Sequence, residues 1–416
     1  MPPARDVAGM TTKKHIAIIG GGPSGLIAAE KLAEAGHAVE VFERMPTLGR
    51  KFLMAGRGGL NLTHVEPLEI FLTRYVPATP ALLAAIRAFP PEALRAWADD
   101  LGQETFAGSS GRVFPKAMKA SPLLRAWLGR LEALGVKFHL RHTFEGWNDA
   151  GEVCFSTSEG TVTRTFDAVV LALGGASWPR LGSDGAWVAP LTRLGVPIQP
   201  LSAANAGVLI HWSDILVSRH AGSALKRIAI RFGDHKARGE AVITKSGLEG
   251  GAVYALSRVI REAVARDGHA DITLDLRPDI HPDQIVERLA KTNRKESFSS
   301  RLRKAASIQP NAVALVNEVA TASGKGLPKD NYTAVAKLVT ALPLRVTGMA
   351  GLERAISTAG GIDFAGLTPD LMLNARPGVF VAGEMLDWEA PTGGYLLQAS
   401  FASGIAAAEG VKRFLG

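Results

Sequence analysis

Cysteine is nearly absent from this chain: Cys154 is the only one in 416 residues. That excludes a disulfide framework and a cysteine-rich metal site, and it fits a reducing compartment, the cytoplasm. Cys154 itself sits in the alternating run Glu152-Val153-Cys154-Phe155-Ser156, which reads as strand rather than as a nucleophile's setting. Long apolar runs are missing too. No stretch of about 18 uninterrupted apolar residues occurs, so no transmembrane helix is expected. Met1 to Lys14 lacks the apolar centre of a signal peptide and reads as a disordered leader, with Met10 as an alternative start. The histidines, His139 and His142 included, have no metal-ligand spacing with carboxylates or cysteines, so no metal site is expected. Neither G-x-S-x-G nor H-E-x-x-H occurs, and no internal repeat or low-complexity tract is visible.

What is present points to a large α/β protein. Apolar residues make up 47% of the chain and glycine supplies 45 positions, suited to tight turns and close approach of a ligand. The length predicts two or three domains. The net charge of +8 favours a polyanionic partner. Part of it is concentrated: Arg288, Lys291, Arg294, Lys295, Arg301, Arg303 and Lys304 share one short stretch with few acids. Such a stretch is either a solvated helical face or a surface for phosphate backbones.

Along the chain, His15 to Ile19 reads as a buried strand, Ser24 to Ala35 as a helix ended by Gly36, and Ala38 to Glu43 as a second strand. A glycine-rich loop runs from Leu48 to His64. Helical patterns follow at 81–88, 91–101 and 121–134. Val136 to Arg141, Val153 to Thr157 and Thr161 to Phe166 read as antiparallel strands, and Ala168 to Leu173 as a strongly apolar strand. The composition shifts near Pro197 to Pro200. From Val208 to Ile243 the text is strand-like, with alternation across Lys226 to Phe232; from His281 to Leu342 it is helical and basic. After Pro343 glycines return, Gly378 to Gly383 reads as a buried strand and turn, and Tyr395 to Phe414 as the last helix. The expected division is a discontinuous domain of residues 1–200 and 343–416 with an inserted domain of residues 201–342, β-rich over 201–275 and helical over 276–342.

The N-terminal unit carries chemistry. Gly20-Gly21-Gly22-Pro23-Ser24-Gly25 matches G-x-G-x-x-G between a strand and a helix, where glycines allow the tight turn and the helix N-terminus faces a pyrophosphate. Glu43 ends the second strand about 20 residues on, where an acid accepts from both ribose hydroxyls and disfavours a 2′-phosphate. Three features favour FAD over NAD. The motif lies near the N-terminus with a long chain behind it. Leu48-Gly49-Arg50-Lys51 follows the second strand closely, as where such a loop runs along a flavin. A distant strand ends in Val381-Ala382-Gly383-Glu384, followed by Gly393-Gly394-Tyr395 at a helix start. In flavoproteins of the glutathione-reductase type an acid after such a glycine binds the ribityl chain, and the next helix N-terminus stabilises negative charge at the flavin N1–O2 edge; Glu384 stands here for the commoner Asp.

Several segments resemble the YhiN/BaiN family of FAD-dependent flavoproteins. Gly49 to Thr63 is similar to that family's G-x-K-x-L-x-(S/T)-G-x-G-R-C-N-x-T loop, and Gly111-Arg112-Val113-Phe114-Pro115 to its G-R-x-F-P turn. Gly174 to Pro179 with Gly182 to Gly185, Thr244 to Gly250, Gly383 to Asp387 and Gly393 to Gln398 match further segments in order along nearly the whole chain. Two departures stand out. Gly59-Leu60-Asn61 replaces R-C-N, so the loop cysteine is absent, and Lys245 stands where His is usual.

The resemblance implies a Rossmann-like FAD-binding domain of the glutathione-reductase type with an inserted β-rich plus helical domain. It also implies a redox flavoenzyme in which NAD(P)H reduces non-covalent FAD and the flavin N5 passes hydride to an activated carbon–carbon double bond. Members of the family are linked to uridine reduction in ribosomal RNA and to bile-acid metabolism. Residues expected to hold the cofactor are Gly20, Gly22, Pro23, Ser24, Gly25, Glu43, Arg44, Arg50, Lys51, Gly56, Gly174, Gly383, Glu384, Gly394, Tyr395 and Leu396. Asn61, then Arg57 and Arg112, are the expected substrate or flavin contacts. The inserted domain is expected to be the substrate domain closing over the flavin, with RNA meeting Arg288 to Lys304. An FAD-containing RNA-binding or redox-sensing protein without turnover, and a small-molecule reductase or oxidase, stay open as alternatives.

Overall fold

The computed structural model describes residues 13–55, 58–324 and 326–416. Its contacts divide the chain into two units, one of residues 1–202 and 357–416 and one of residues 203–356. The second boundary falls at 356 rather than 342. The cause is pairing: Leu342–Val346 forms an antiparallel ladder with Ala270–Asp275, so that strand belongs to the inserted unit's sheet.

In the first unit, five parallel strands form a sheet in the order Val379–Val381, Ala168–Leu171, His15–Ile19, Ala38–Glu43, Lys137–Leu140. Counted along the chain this is 5-4-1-2-3, the doubly wound order, with its switch point between the His15–Ile19 and Ala168–Leu171 strands. These central strands are near-continuous apolar runs and Ile16, Ile18, Val170, Leu171 and Val381 are fully buried, as parallel strands covered on both faces require. Helices Pro23–Glu34 and Tyr395–Leu415 pack on each other beside it. The segment expected to be antiparallel from Val136 instead joins the parallel sheet, Glu40 lying opposite Lys137. The antiparallel meander is made by Thr143–Trp147, Val153–Thr157 and Gly160–Arg164, with Cys154 half-buried in its middle strand. A small sheet of Thr63–His64, Arg112–Pro115 and Thr105–Ala107 supports the glycine-rich loop.

The inserted unit is a seven-stranded sheet whose register is antiparallel throughout, with helices Pro282–Ala290, Phe298–Ala306, Pro310–Ala322 and Tyr332–Thr340 contributing to one apolar core. The stretch from Val208 to Ile243 is not strand throughout: Asp214–His220 is a helix, started by Ser213, whose hydroxyl accepts from Leu216 N. The alternation expected over Lys226 to Phe232 is broken as well. Lys226 and Arg227 are both exposed while Ile228, Ala229 and Ile230 are all buried, because the ladder is irregular between Leu225 and Ile228. Among the described residues no helix is long and apolar enough to cross a membrane.

Candidate functional site

The carboxyl ends of three central strands meet at the switch point. Gly20 follows the first strand with φ 113°, and a Cβ there would lie 2.2 Å from Ala172 O, just past the fourth strand. No L side chain fits that conformation or that space. Gly383, after the fifth strand, packs so tightly on Ser24 that a Cβ would meet its Oγ at 2.2 Å. A Cβ on Gly25 would meet Gly20 O at 2.0 Å, so this glycine lets the helix seat on the strand. Gly22 is different: a Cβ added there meets nothing within 4 Å. The glycine that the protein itself does not need is the one facing open space at the start of helix Pro23–Glu34, whose first residue, Pro23, has no N–H to lose. The Gly22 position has no side-chain cap, leaving the amides of the first turn for an anion.

Glu43 closes this turn. Its Oε2 accepts from Gly21 N at 2.9 Å and its Oε1 from Met45 N at 2.8 Å. Each carboxylate oxygen retains a second lone pair, so two acceptor sites remain, the number a ribose diol needs. Burial pushes the Glu43 carboxyl above its ordinary range, against the two backbone bonds that pull it down. Glu40 lies three residues earlier, with its carboxylate between His15 at 3.1 Å and His139 at 2.8 Å. The two acids thus have separate surroundings.

Next to this pocket, residues from four distant segments form one polar network. Lys51, in helix Arg50–Ala55, donates to Ser177 Oγ and to Glu384 Oε2, both at 2.6 Å. Glu384 Oε1 accepts from Thr358 N at 2.9 Å, and Thr358 Oγ1 accepts from Ala176 N at 2.8 Å and Ser177 N at 3.1 Å. Lys51 and Glu384 were legible in the sequence. Ser177 and Thr358 were not singled out, because a lone Ser or Thr beside glycine carries no motif signal.

The glycine-rich loop meets the last helix. Gly394, with φ 101°, lies so close to Thr63 that a Cβ would come within 2.4 Å of its backbone. Thr63 is fully buried, and its Oγ1 has no partner; the buried Oδ1 of Asn61 has none either. Two orphaned polar groups beside a helix N-terminus are costly unless a ligand satisfies them. Arg112 is exposed across the ladder from His64, and its Nε lies 4.0 Å from where a Gly393 Cβ would stand. Leu60 is fully buried in the core, with its amide donating to Met118 O, so position 60 faces the interior.

Other expected residues are placed differently. Arg44 is paired with Asp184. Arg50 donates to Thr47 Oγ1 at 3.3 Å, while its buried Nε has no partner. Gly174 O accepts from Trp187 Nε1 at 2.8 Å, and Ser183 Oγ, which a Cβ on Gly174 would approach to 3.0 Å, is buried and unpartnered. Tyr395 does not offer its side chain: the phenol donates to Glu66 at 2.7 Å, the ring stacks on His64, and burial with the Glu66 bond pushes its pKa up. What Tyr395 and the half-buried Leu396 bring is the backbone of the helix start. Gly56 and Arg57 lie outside the described residues. Among the described residues, no group of three or more His, Cys, Asp or Glu could hold a metal.

These residues fit FAD on their own terms: an open cradle at Gly22, acceptor capacity at Glu43, and orphaned buried polar atoms at Asn61, Thr63 and Ser183. The model of the HI0933-like protein Rossmann domain matches residues 14–410. The chain belongs to the HI0933-like family. Among the curated relatives, the 3-dehydro-bile acid delta(4,6)-reductase of Clostridium scindens is 24% identical over 94% of this chain and 97% of its own. The ribosomal RNA dihydrouridine synthase of Haemophilus influenzae is 22% identical over 95% and 98%. Of the solved structures, 3-ketosteroid delta1-dehydrogenase from Sterolibacterium denitrificans superposes with a TM-score of 0.50 at 13% identity, covering 97% of this chain and 100% of that one. The fold is thus the Rossmann-like FAD-binding fold, and the protein is an FAD-dependent oxidoreductase of this family.

Proposed function

We propose that this oxidoreductase is a reductase that takes hydride from NAD(P)H and delivers it to an activated carbon–carbon double bond, most plainly that of a pyrimidine base in ribosomal RNA. FAD, bound without a covalent link, supplies the hydride relay between the two substrates. The observation that carries the reading is the pair of buried, unpartnered atoms Asn61 Oδ1 and Thr63 Oγ1 against the start of helix Tyr395–Leu415. Glu43 would hold the ribose, and the first-turn amides after Gly22 the pyrophosphate. Lys51 is held by Ser177 and by an ion pair with Glu384, and would be positioned by them toward the cofactor. The helix N-terminus at Gly394 supports negative charge on a ring placed there. Asn61 orients a ring or an acceptor carbonyl, and Arg112 anchors substrate. Leu60 carries no proton, so the proton that completes the reduction comes from another group.

The RNA acceptor draws support from the name of the Haemophilus influenzae relative and from exposed Lys291, Arg294, Lys295 and Arg303 in the basic stretch. Two of its seven cations are engaged: Arg301 is buried, donating to Thr292 Oγ1 at 2.8 Å and Tyr332 OH at 2.6 Å, and Lys304 pairs with Glu296 at 2.8 Å. A second reading, a small-molecule reductase, is favoured by Leu60 in place of the loop cysteine and by the name of the Clostridium scindens relative.

The test begins with purified protein, which should be yellow and should release FAD on acid precipitation. Anaerobic NADH or NADPH should bleach the flavin. A uridine-containing ribosomal RNA fragment should then restore the oxidised spectrum and yield a reduced base by mass spectrometry. Restoration by a steroid enone and not by RNA would shift the acceptor to the second reading. Binding of RNA with no reoxidation by either would replace the reductase by a redox-sensing RNA binder, and a colourless protein that cannot be reconstituted would sink the flavin reading altogether. With RNA as substrate, Arg294→Glu plus Lys295→Glu should weaken binding and lower its salt dependence, roughly 0.9 of logarithmic slope per phosphate contact in duplex and about 0.7 in single strands.

A further inference from the structure

The ladder irregularity in the inserted unit gathers cations. Strand Ala224–Phe232 pairs with His235–Ile243 so that Leu225 faces Ala241 and Ile228 faces Gly239. Lys226 and Arg227 therefore oppose Glu240 alone, the two-against-one count of a β-bulge. Both side chains are exposed, where an unbroken pleat would turn one of them inward. Arg227 holds φ at 55°, in the left-handed region, which is strained for a residue with a Cβ. Glycine would make this turn without that strain. The position carries a guanidinium instead.

Beside the bulge lies a cleft of 570 Å³ lined by Lys226, Arg227, Arg238, Glu240, Pro278 and Asp279, among others. Its charges do not balance. Arg238 is held by Pro278 O at 2.9 Å and Asp279 at 3.0 Å, which neutralises that pair. Glu240 is the remaining acid of the lining. Against it stand Lys226 and Arg227, which form no ion pair among the described residues. Arg277, next to Pro278 in the chain, has a buried Nε without a partner. Burial, and then the nearby charge of Arg227, lower the pKa of Arg277, with Asp279 opposing them and Arg288 adding to the lowering. Guanidinium groups gathered this way repel one another. A bridging anion relieves the repulsion, and the fork of N–H donors on arginine matches phosphate oxygens better than any other common anion-binding side chain.

We propose that the cleft at this bulge is a phosphate-binding site for an RNA backbone, with Lys226 and Arg227 as its contacts. The identity of the polyanion rests on the RNA reading given above; the phosphate chemistry does not. The site is separate in composition from the basic helices, drawing its free cations from the strand Ala224–Phe232. It also gives a role to the arginine at this strained position.

The test uses FAD-loaded protein, a labelled ribosomal RNA hairpin and anisotropy titrations at several KCl concentrations. Lys226→Gln plus Arg227→Gly should bind more weakly, with a logarithmic salt slope shallower by about 1–2. Its melting temperature should be unchanged or higher, since glycine relieves the strained φ. Arg227→Lys, which keeps the charge, should retain most of the slope. Unaltered RNA binding by the double variant would overturn the site while leaving RNA binding by the protein in place. No RNA binding by wild type would overturn both. Weak binding by Arg227→Lys together with a lowered melting temperature would make the bulge structural. Inorganic pyrophosphate that stabilises wild type, but not the double variant, without displacing RNA would assign the cleft to a small phosphate ligand and overturn the RNA assignment.

Discussion

The two units leave different kinds of polar groups unsatisfied. In the glycine-rich unit they include many buried atoms, among them Asn61 Oδ1, Thr63 Oγ1, Ser183 Oγ and Arg50 Nε. In the inserted unit they are mainly exposed cations, Lys226, Arg227 and the outer residues of the basic stretch, with Arg277 the buried exception. A buried acceptor costs stability until one particular ligand fills its geometry. An exposed cation costs little and attracts any phosphate at long range. On the reading proposed above, the first unit is built around a single molecule of fixed shape and the second around a chemical class.

The largest effect that would sharpen this contrast lies inside the basic stretch itself. Arg301→Ala removes bonds to Thr292, Leu289 and Tyr332 and should cost about 3 kcal/mol of stability. Exposed Arg303→Ala should stay within about 0.5 kcal/mol. Urea melts of the two variants decide it, and equal losses would erase the distinction between structural and surface cations.

Next comes Glu43→Ala, which should weaken FAD binding by about 1.5–3 kcal/mol, the loss of hydrogen bonds to a charged acceptor. Glu40→Ala, facing two histidines instead, should leave FAD affinity nearly unchanged. Equilibrium FAD titration of both apoproteins would show it, with similar losses counting against the ribose assignment. The pH dependence follows from burial. The folded Glu43 binds its proton more tightly than an ordinary glutamate, so its contribution to apoprotein stability is greatest at low pH and falls as pH rises through its raised pKa. Its acceptor capacity runs the other way: FAD affinity should fall on acidification, beginning at a higher pH than for an exposed carboxylate, and Glu43→Gln should flatten that profile.

Gly22→Ala is the test of the cradle. The added methyl meets no protein atom within 4 Å, so the apoprotein should melt as wild type does. A pyrophosphate seated there would be crowded, at about 1–3 kcal/mol or roughly 5- to 150-fold in FAD affinity. Retained affinity would put the pyrophosphate elsewhere. Asn61→Ala, last in size, removes one hydrogen-bonding group and should slow flavin reoxidation by substrate by about 0.5–1.5 kcal/mol, roughly 2- to 12-fold, with little change in the absorbance spectrum. Unchanged kinetics would remove Asn61 from the site.

The nucleotide-binding half of the fold was legible because its signals are local. A strand needs only its run of apolar residues, and Gly20 to Gly25 with Glu43 compresses turn, helix start and the acid that accepts from Gly21 N into one βαβ unit. Less local features were missed or misread. Val136 to Arg141 reads as a strand from its own residues, but whether it pairs parallel or antiparallel depends on a partner it finds only in the folded chain. Asp214–His220 hid in strand-like text because seven residues hold too few turns for a helical period to show. Tyr395 was readable as a helix start, but not its phenol's use by Glu66.

The sequence by itself determined the cradle, its acid and the place of the last helix, since glycine spacing and capping act over a few residues through sterics and hydrogen bonds. Only the tertiary structure decided that Lys51 meets Glu384 across 333 residues, that Leu60 turns into the core while Asn61 keeps an unpartnered oxygen, and that Arg301 is structural while Arg227 is strained and exposed. The physical reason is that charge pairing, burial and strand register depend on which segments pack together, and no stretch of residues contains that information alone.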